Sequence, residues 1–167
     1  MKLFPIFLAV GFFLVLLQTT LLHLLPLRPV VPDLVLVLCV YLGLNHPTVG
    51  SVLSSFILGY FVDIFSSPVL GLNAFAMSLV FLSVYLSSRW IWVQNPFLSP
   101  VVVFFASCVK GIGLILVWSF FLALEGLWVG ALKYILFEAI LAAVLAPGLF
   151  FLLSWGEDRL EEVRMPL

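Results

Sequence analysis

From Leu3 to Trp155 the chain is an almost unbroken apolar sequence, interrupted only by short Pro-, Gly- and Ser-containing breaks. Few folds can accommodate that. Of the 167 residues, 65% are hydrophobic and 9% charged, where a soluble domain runs near ~45–50% apolar and ~25% charged. A water-facing domain is excluded, and the natural solvent is the lipid bilayer. At ~20 apolar residues per crossing, the stretch has room for about six. The expected fold is therefore an all-α integral membrane protein, a bundle of about six transmembrane helices forming one domain over 1–167. Seven Lys or Arg against eight Asp or Glu give a net charge of -1, which leaves no basic surface for nucleic acid. Cys39 and Cys108 lie in apolar runs and read as small buried hydrophobes rather than a disulfide. The apolar run after Met1-Lys2 exceeds a signal-peptide core and is followed by no small-x-small cleavage site, so it reads as a retained first helix.

Breaks set the helix limits. The first helix runs from about Leu3 to Leu25 and stops at Pro26, with Arg28, Pro29 and Pro32 forming a stiff connection. The second, Asp33 to Leu44, is short: about 12 residues, or ~18 Å of helix against a ~30 Å core. After the turn Asn45-His46-Pro47-Thr48, the third helix covers about Val49 to Phe65 and closes at Ser66-Ser67-Pro68. The fourth spans about Leu70 to Leu86, ending at Arg89 with Trp90 and Trp92 at interfacial positions. Asn95-Pro96 turns the chain. A fifth helix covers about Val101 to Leu124, Glu125-Gly126 interrupts it, and a sixth covers about Ala131 to Leu153 before a polar tail at 156–167. With six crossings, Lys2, Arg89, Arg159 and Arg164 share one side and Arg28 takes the other, which puts both termini in the cytoplasm.

Ionisable groups at membrane depth are costly unless paired or turned toward protein, so each is a candidate site. On the third helix Ser51, Ser55, Gly59 and Asp63 recur at i+4, giving a small-residue packing seam (Ser51, Ser55, Gly59) that ends in a carboxylate. Asp63 either hydrogen-bonds a neighbour across that seam or binds something. Lys110 lies about nine residues into the fifth helix, ~14 Å deep, beside Ser107, Gly111 and Gly113. Glu138, on the antiparallel sixth helix, reaches a similar depth. An intramembrane ion pair between Lys110 and Glu138 is expected, with Asp63 as second choice. Lys133 snorkels at the outer interface. Asp33 follows Pro32 in a first turn, where a carboxylate either caps the helix or binds a ligand. Gly71 and Asn73 suit a turn or a helix start, and with Asp33 and Asp63 they fall toward the outer face. His23 and His46 read as interfacial.

No catalytic constellation emerges. HExxH, GxxxxGK[ST] and GxSxG are all missing, and no Cys or His cluster has metal spacing, so neither a metal nor a cofactor is expected. An aspartic dyad of Asp33 and Asp63 is conceivable, but each residue has a simpler role.

Pro32-Asp33-Leu34-Val35-Leu36-Val37-Leu38, Val40-Tyr41-Leu42-Gly43-Leu44, then Gly50, Gly59, Asp63 and Ser66-Ser67-Pro68-Val69-Leu70-Gly71-Leu72-Asn73 resemble the rod shape-determining protein MreD family. The likeness is close over about 40 residues and extends to the rest by length and hydropathy. One departure is Phe61-Val62-Asp63-Ile64-Phe65, where that family tends to carry Leu-rich flanks. The resemblance implies a multi-pass protein of the bacterial inner membrane that binds rather than catalyses. It would be a scaffold of the cell-wall elongation complex, bound to MreC and linking MreB to RodA and the elongation transpeptidase. Pro32, Asp33, Gly59, Asp63, Gly71 and Asn73 would then dock the partner or hold the fold. The family also looks like the substrate-binding subunits of vitamin uptake transporters, which implies the alternative of a small-molecule pocket at the outer end.

Overall fold

A computed structural model of the chain describes residues 4–24, 32–66, 69–88, 98–122 and 128–164. Lys2, Pro26, Arg28, Pro29, Arg89, Trp90, Trp92, Asn95, Pro96, Glu125 and Gly126 lie outside these residues, as do the side chains of His23 and Arg164. Among the described residues there are six helices and no strand: α1 (Phe4–Leu24), α2 (Leu34–Asn45), α3 (Val49–Ser66), α4 (Leu72–Ser88), α5 (Ser99–Leu122) and α6 (Trp128–Arg164). Three stretches, Val49–Ser66, Ser99–Val117 and Lys133–Arg159, are long and apolar enough to cross a bilayer, and three shorter apolar helices accompany them.

The short helix α2 stands at the centre. It is apolar on every face, and such a helix is stable only when surrounded. Every residue from Leu34 to Gly43 is buried, and α2 packs against each of the other five helices. Its length of ~18 Å is no handicap, because protein rather than lipid surrounds it. The outer helices instead turn large apolar side chains outward, among them Phe13, Phe105 and Phe151. Those faces suit lipid, where association rests on close packing more than on water exclusion.

Small residues let the helices approach. A Cβ on Gly59 would come within 2.7 Å of both Ala74 Cα and Asn73 O, so α3 lies backbone to backbone on the start of α4. Ser51, Ser54, Ser55, Leu58, Val62 and Asp63 are buried along the same side of α3. Gly11 of α1 faces the side chain of Leu58, and Gly111 of α5 faces Ile135 of α6.

Helix α6 differs from its sequence-based limit. It continues past Leu153 to Arg164 and contains Pro147 in its interior, so most of the expected polar tail is helical. Gly156 costs about 1 kcal/mol in a helix. The partners that Glu157 gains one residue later offset this.

Candidate functional site

Asp33 is the N-cap of α2: its side chain accepts a hydrogen bond from the Leu36 N–H at 3.0 Å. The other carboxylate oxygen accepts from Lys110 Nζ on α5. Glu138 Oε1 on α6 lies 3.6 Å from the same ammonium. Asp33 and Lys110 are buried, whereas a third of the Glu138 side chain is exposed. One cation therefore serves two carboxylates of unequal burial. The start of α2 adds roughly half a positive charge, which together with Lys110 nearly balances the pair.

Position along the helices explains why Asp33 belongs to this group. Asp33 stands at the start of α2 and Lys110 near the middle of α5, so the short helix begins alongside the midpoint of a longer one.

Asp63 has a different set of partners. Its Oδ1 accepts from the backbone N–H and the Nδ2 of Asn73, and its Oδ2 accepts from the N–H groups of Gly71 and Ala74, all at 3.0 Å. One fully buried carboxylate on α3 thereby caps the free amides of α4. Gly71 has φ +93°, a left-handed conformation that favours glycine. Gly59, one turn before Asp63, permits the approach that brings these amides within reach. Gly59, Asp63, Gly71 and Asn73 thus meet at one corner, apart from the Asp33–Lys110–Glu138 group. Pro32 stands outside α2, its carbonyl accepting from Leu34 N–H at 3.1 Å. Ser51 and Ser55 line the buried side of α3, and Ser55 Oγ bonds back to the Ser51 carbonyl at 2.9 Å.

A third polar group was not foreseen. The hydroxyl of Tyr41 on α2 donates to Glu157 Oε2 at 2.6 Å, and His46 Nε2 lies 2.7 Å from Glu157 Oε1. The ring of Phe7 on α1 lies tilted at 44° to the His46 ring with centroids 5.5 Å apart, and Phe150 meets Tyr41 edge-on at 5.1 Å. The start of α1, the end of α2 and the end of α6 therefore gather at one end of the bundle. Helical spacing carried the signal: Phe150, Leu153 and Glu157 fall at i, i+3 and i+7, so a helix continued through Gly156 keeps Glu157 on the stripe that faces α2.

Chemically, these groups hold helices together. Among the described residues no set of three His, Cys, Asp or Glu could hold a metal ion. Asp33 and Asp63 are each committed to separate donors rather than to one another.

The family model described as rod shape-determining protein MreD matches residues 1–155 of the chain. No curated protein matches it, and no solved structure does.

Proposed function

The chain belongs to the MreD family of rod shape-determining proteins, and from that premise we propose that it is a scaffold subunit of the cell-wall elongation complex. It works by binding MreC, and through that contact it links MreB filaments to peptidoglycan synthesis by RodA and its transpeptidase. The observation that carries this reading is the family match over residues 1–155. It is supported by the buried carboxylates of Asp33 and Asp63, each committed to internal partners, as expected of a rigid platform rather than a reaction centre.

The protein resides in the bacterial inner membrane with both termini in the cytoplasm. The gathering of Phe7 and Glu157 around His46 supports a shared side for the two ends, and the side chosen follows from Lys2, Arg89, Arg159 and Arg164. The corner of Gly59, Asp63, Gly71 and Asn73 then lies toward the periplasm. It shapes the α3–α4 surface offered to the partner, while Pro32, Asp33, Lys110 and Glu138 hold the core behind it.

Affinity purification of the tagged protein in mild detergent, wild type beside Asp63→Asn, tests this reading when followed by mass spectrometry of bound proteins and small molecules. The expected result is MreC with wild type, less of it with Asp63→Asn, and no metabolite. A stoichiometric metabolite without MreC would overturn the scaffold reading in favour of a transport subunit.

A further inference from the structure

Between Trp128 and Gly156 the sequence of α6 carries two ionisable side chains, Lys133 and Glu138. Neither is fully matched within the bundle. Lys110 donates to Asp33, which also takes the Leu36 N–H at the start of α2, whereas Glu138 lies 3.6 Å from the ammonium and keeps a third of its side chain exposed. Lys133 is exposed, and among the described residues it has no ion-pair partner. Both stand in a stretch long and apolar enough to cross a bilayer, where a charge is costly unless paired. They cannot pair with each other inside one helix, because five residues turn the chain by ~140°.

Five residues is instead the spacing that joins two parallel helices. In a left-handed helix pair the g position of one helix faces the e position of the following heptad on the other, across a seam of a and d residues, and transmembrane helices mostly cross with that hand. With Lys133 at g and Glu138 at e, the seam consists of Tyr134, Phe137, Leu141, Val144 and Gly148. Tyr134, Phe137, Val144 and Gly148 are exposed and Leu141 is half-buried. The opposite side of α6, marked by Ala139, Ala142 and Ala146, is fully buried in its own bundle. The seam thus points away from the core, with one charge on each flank. Copies of a chain inserted in one membrane share one orientation, so their α6 helices run parallel, and each copy carries the charge that the other lacks.

We propose that the outward face of α6 is the interface of a symmetric dimer, in which Lys133 of each copy pairs with Glu138 of the other. A twofold axis along the membrane normal forms both pairs at once. Glu138 then lies between its own Lys110 and Lys133 of the second copy, and with Asp33 each half of the dimer sets two carboxylates against two ammonium groups. The seam ends at Gly148, next to Pro147, whose ring removes a helical hydrogen bond. The α3–α4 corner is a separate surface and stays uncovered.

Disulfide crosslinking of the full-length chain, with Cys39→Ala and Cys108→Ala, in phosphatidylethanolamine–phosphatidylglycerol vesicles over a series of protein-to-lipid ratios tests this. Val144→Cys, on the seam, is expected to give a crosslinked dimer down to low protein density. Leu53→Cys on α3 and Phe105→Cys on α5, also exposed, are not. Lys133→Glu sets like charges across the seam and should weaken association about tenfold, equivalent to ~1.4 kcal/mol, while Lys133→Arg should keep it. Because Lys133 is exposed, both substitutions should leave thermal unfolding in dilute detergent unchanged, which separates a lost interface from a lost fold. A chain that stays monomeric at every ratio would overturn the proposal, as would a Lys133→Glu dimer fraction equal to that of wild type. So would crosslinking through Leu53→Cys or Phe105→Cys as efficient as through Val144→Cys.

Discussion

At the level of single side chains, Lys110 carries the largest electrostatic obligation among the described residues, because removing it leaves the carboxylates of Asp33 and Glu138 without their cation. Breaking a buried pair from one side costs ~3–5 kcal/mol, and Lys110→Met should lower stability by that amount in thermal unfolding in detergent. The rescue should be unequal. Asp33 is 1% exposed and Glu138 33%, so adding Asp33→Asn to Lys110→Met should restore more stability than adding Glu138→Gln. The reverse order would mean that Glu138 is the principal partner. Asp63→Ala leaves three backbone amides, the Ala74 one buried and those of Gly71 and Asn73 part-buried, without their acceptor. At ~1–3 kcal/mol per stranded donor, a loss of at least about 2 kcal/mol is expected, with the start of α4 exchanging its amide hydrogens faster. The cost of a charge in lipid makes each such residue conspicuous in sequence, which is why Lys110 and Glu138 could be set side by side in advance. The choice at Asp63 between a hydrogen bond to a neighbour and a binding role was not legible. It depends on the chain reversing at Gly71 so that four donors converge, and no local spacing encodes that convergence.

Among the helices, two features follow from how closely backbones approach. A methyl group at Gly59 would strike the backbone of α4, which cannot give way as a side-chain tip can. Gly59→Ala should therefore cost ~1–3 kcal/mol through overpacking, whereas Gly113→Ala, with open space around its Cβ, should be neutral or gain up to ~1 kcal/mol from helix propensity. Equal effects from the two substitutions would show that the α3–α4 contact is looser than its geometry. The end of α6 is held to the bundle by Tyr41 and His46 through Glu157. Glu157→Ala should release it, seen as faster tryptic cleavage after Arg159. Helix number, order and most limits could be read from apolar runs and Pro or Gly breaks. The end of α6 could not, because Gly156 and the charges after it are turn signals locally, and only the distant partners on α2 make a continued helix favourable.

For the molecule as a whole, α2 converts six amphipathically weak segments into one body: five helices share a single apolar core member, and the charged groups pin it at both ends. Reporter fusions at the N- and C-termini should therefore report the same compartment, the cytoplasm. Opposite compartments would mean that one of the short helices does not cross. The burial of α2 also has a consequence for the order of events during synthesis. The segment bearing Asp33 leaves the ribosome long before Lys110 does, since 77 positions separate them. Until α5 follows it into the membrane, α2 holds a lone carboxylate and has no finished wall of neighbours. The nascent protein must wait with its future centre incomplete, sheltered by the insertion machinery or held near the surface. Chains cut off between α4 and α5 would then be intercepted by quality-control proteases rather than accumulate as partial bundles.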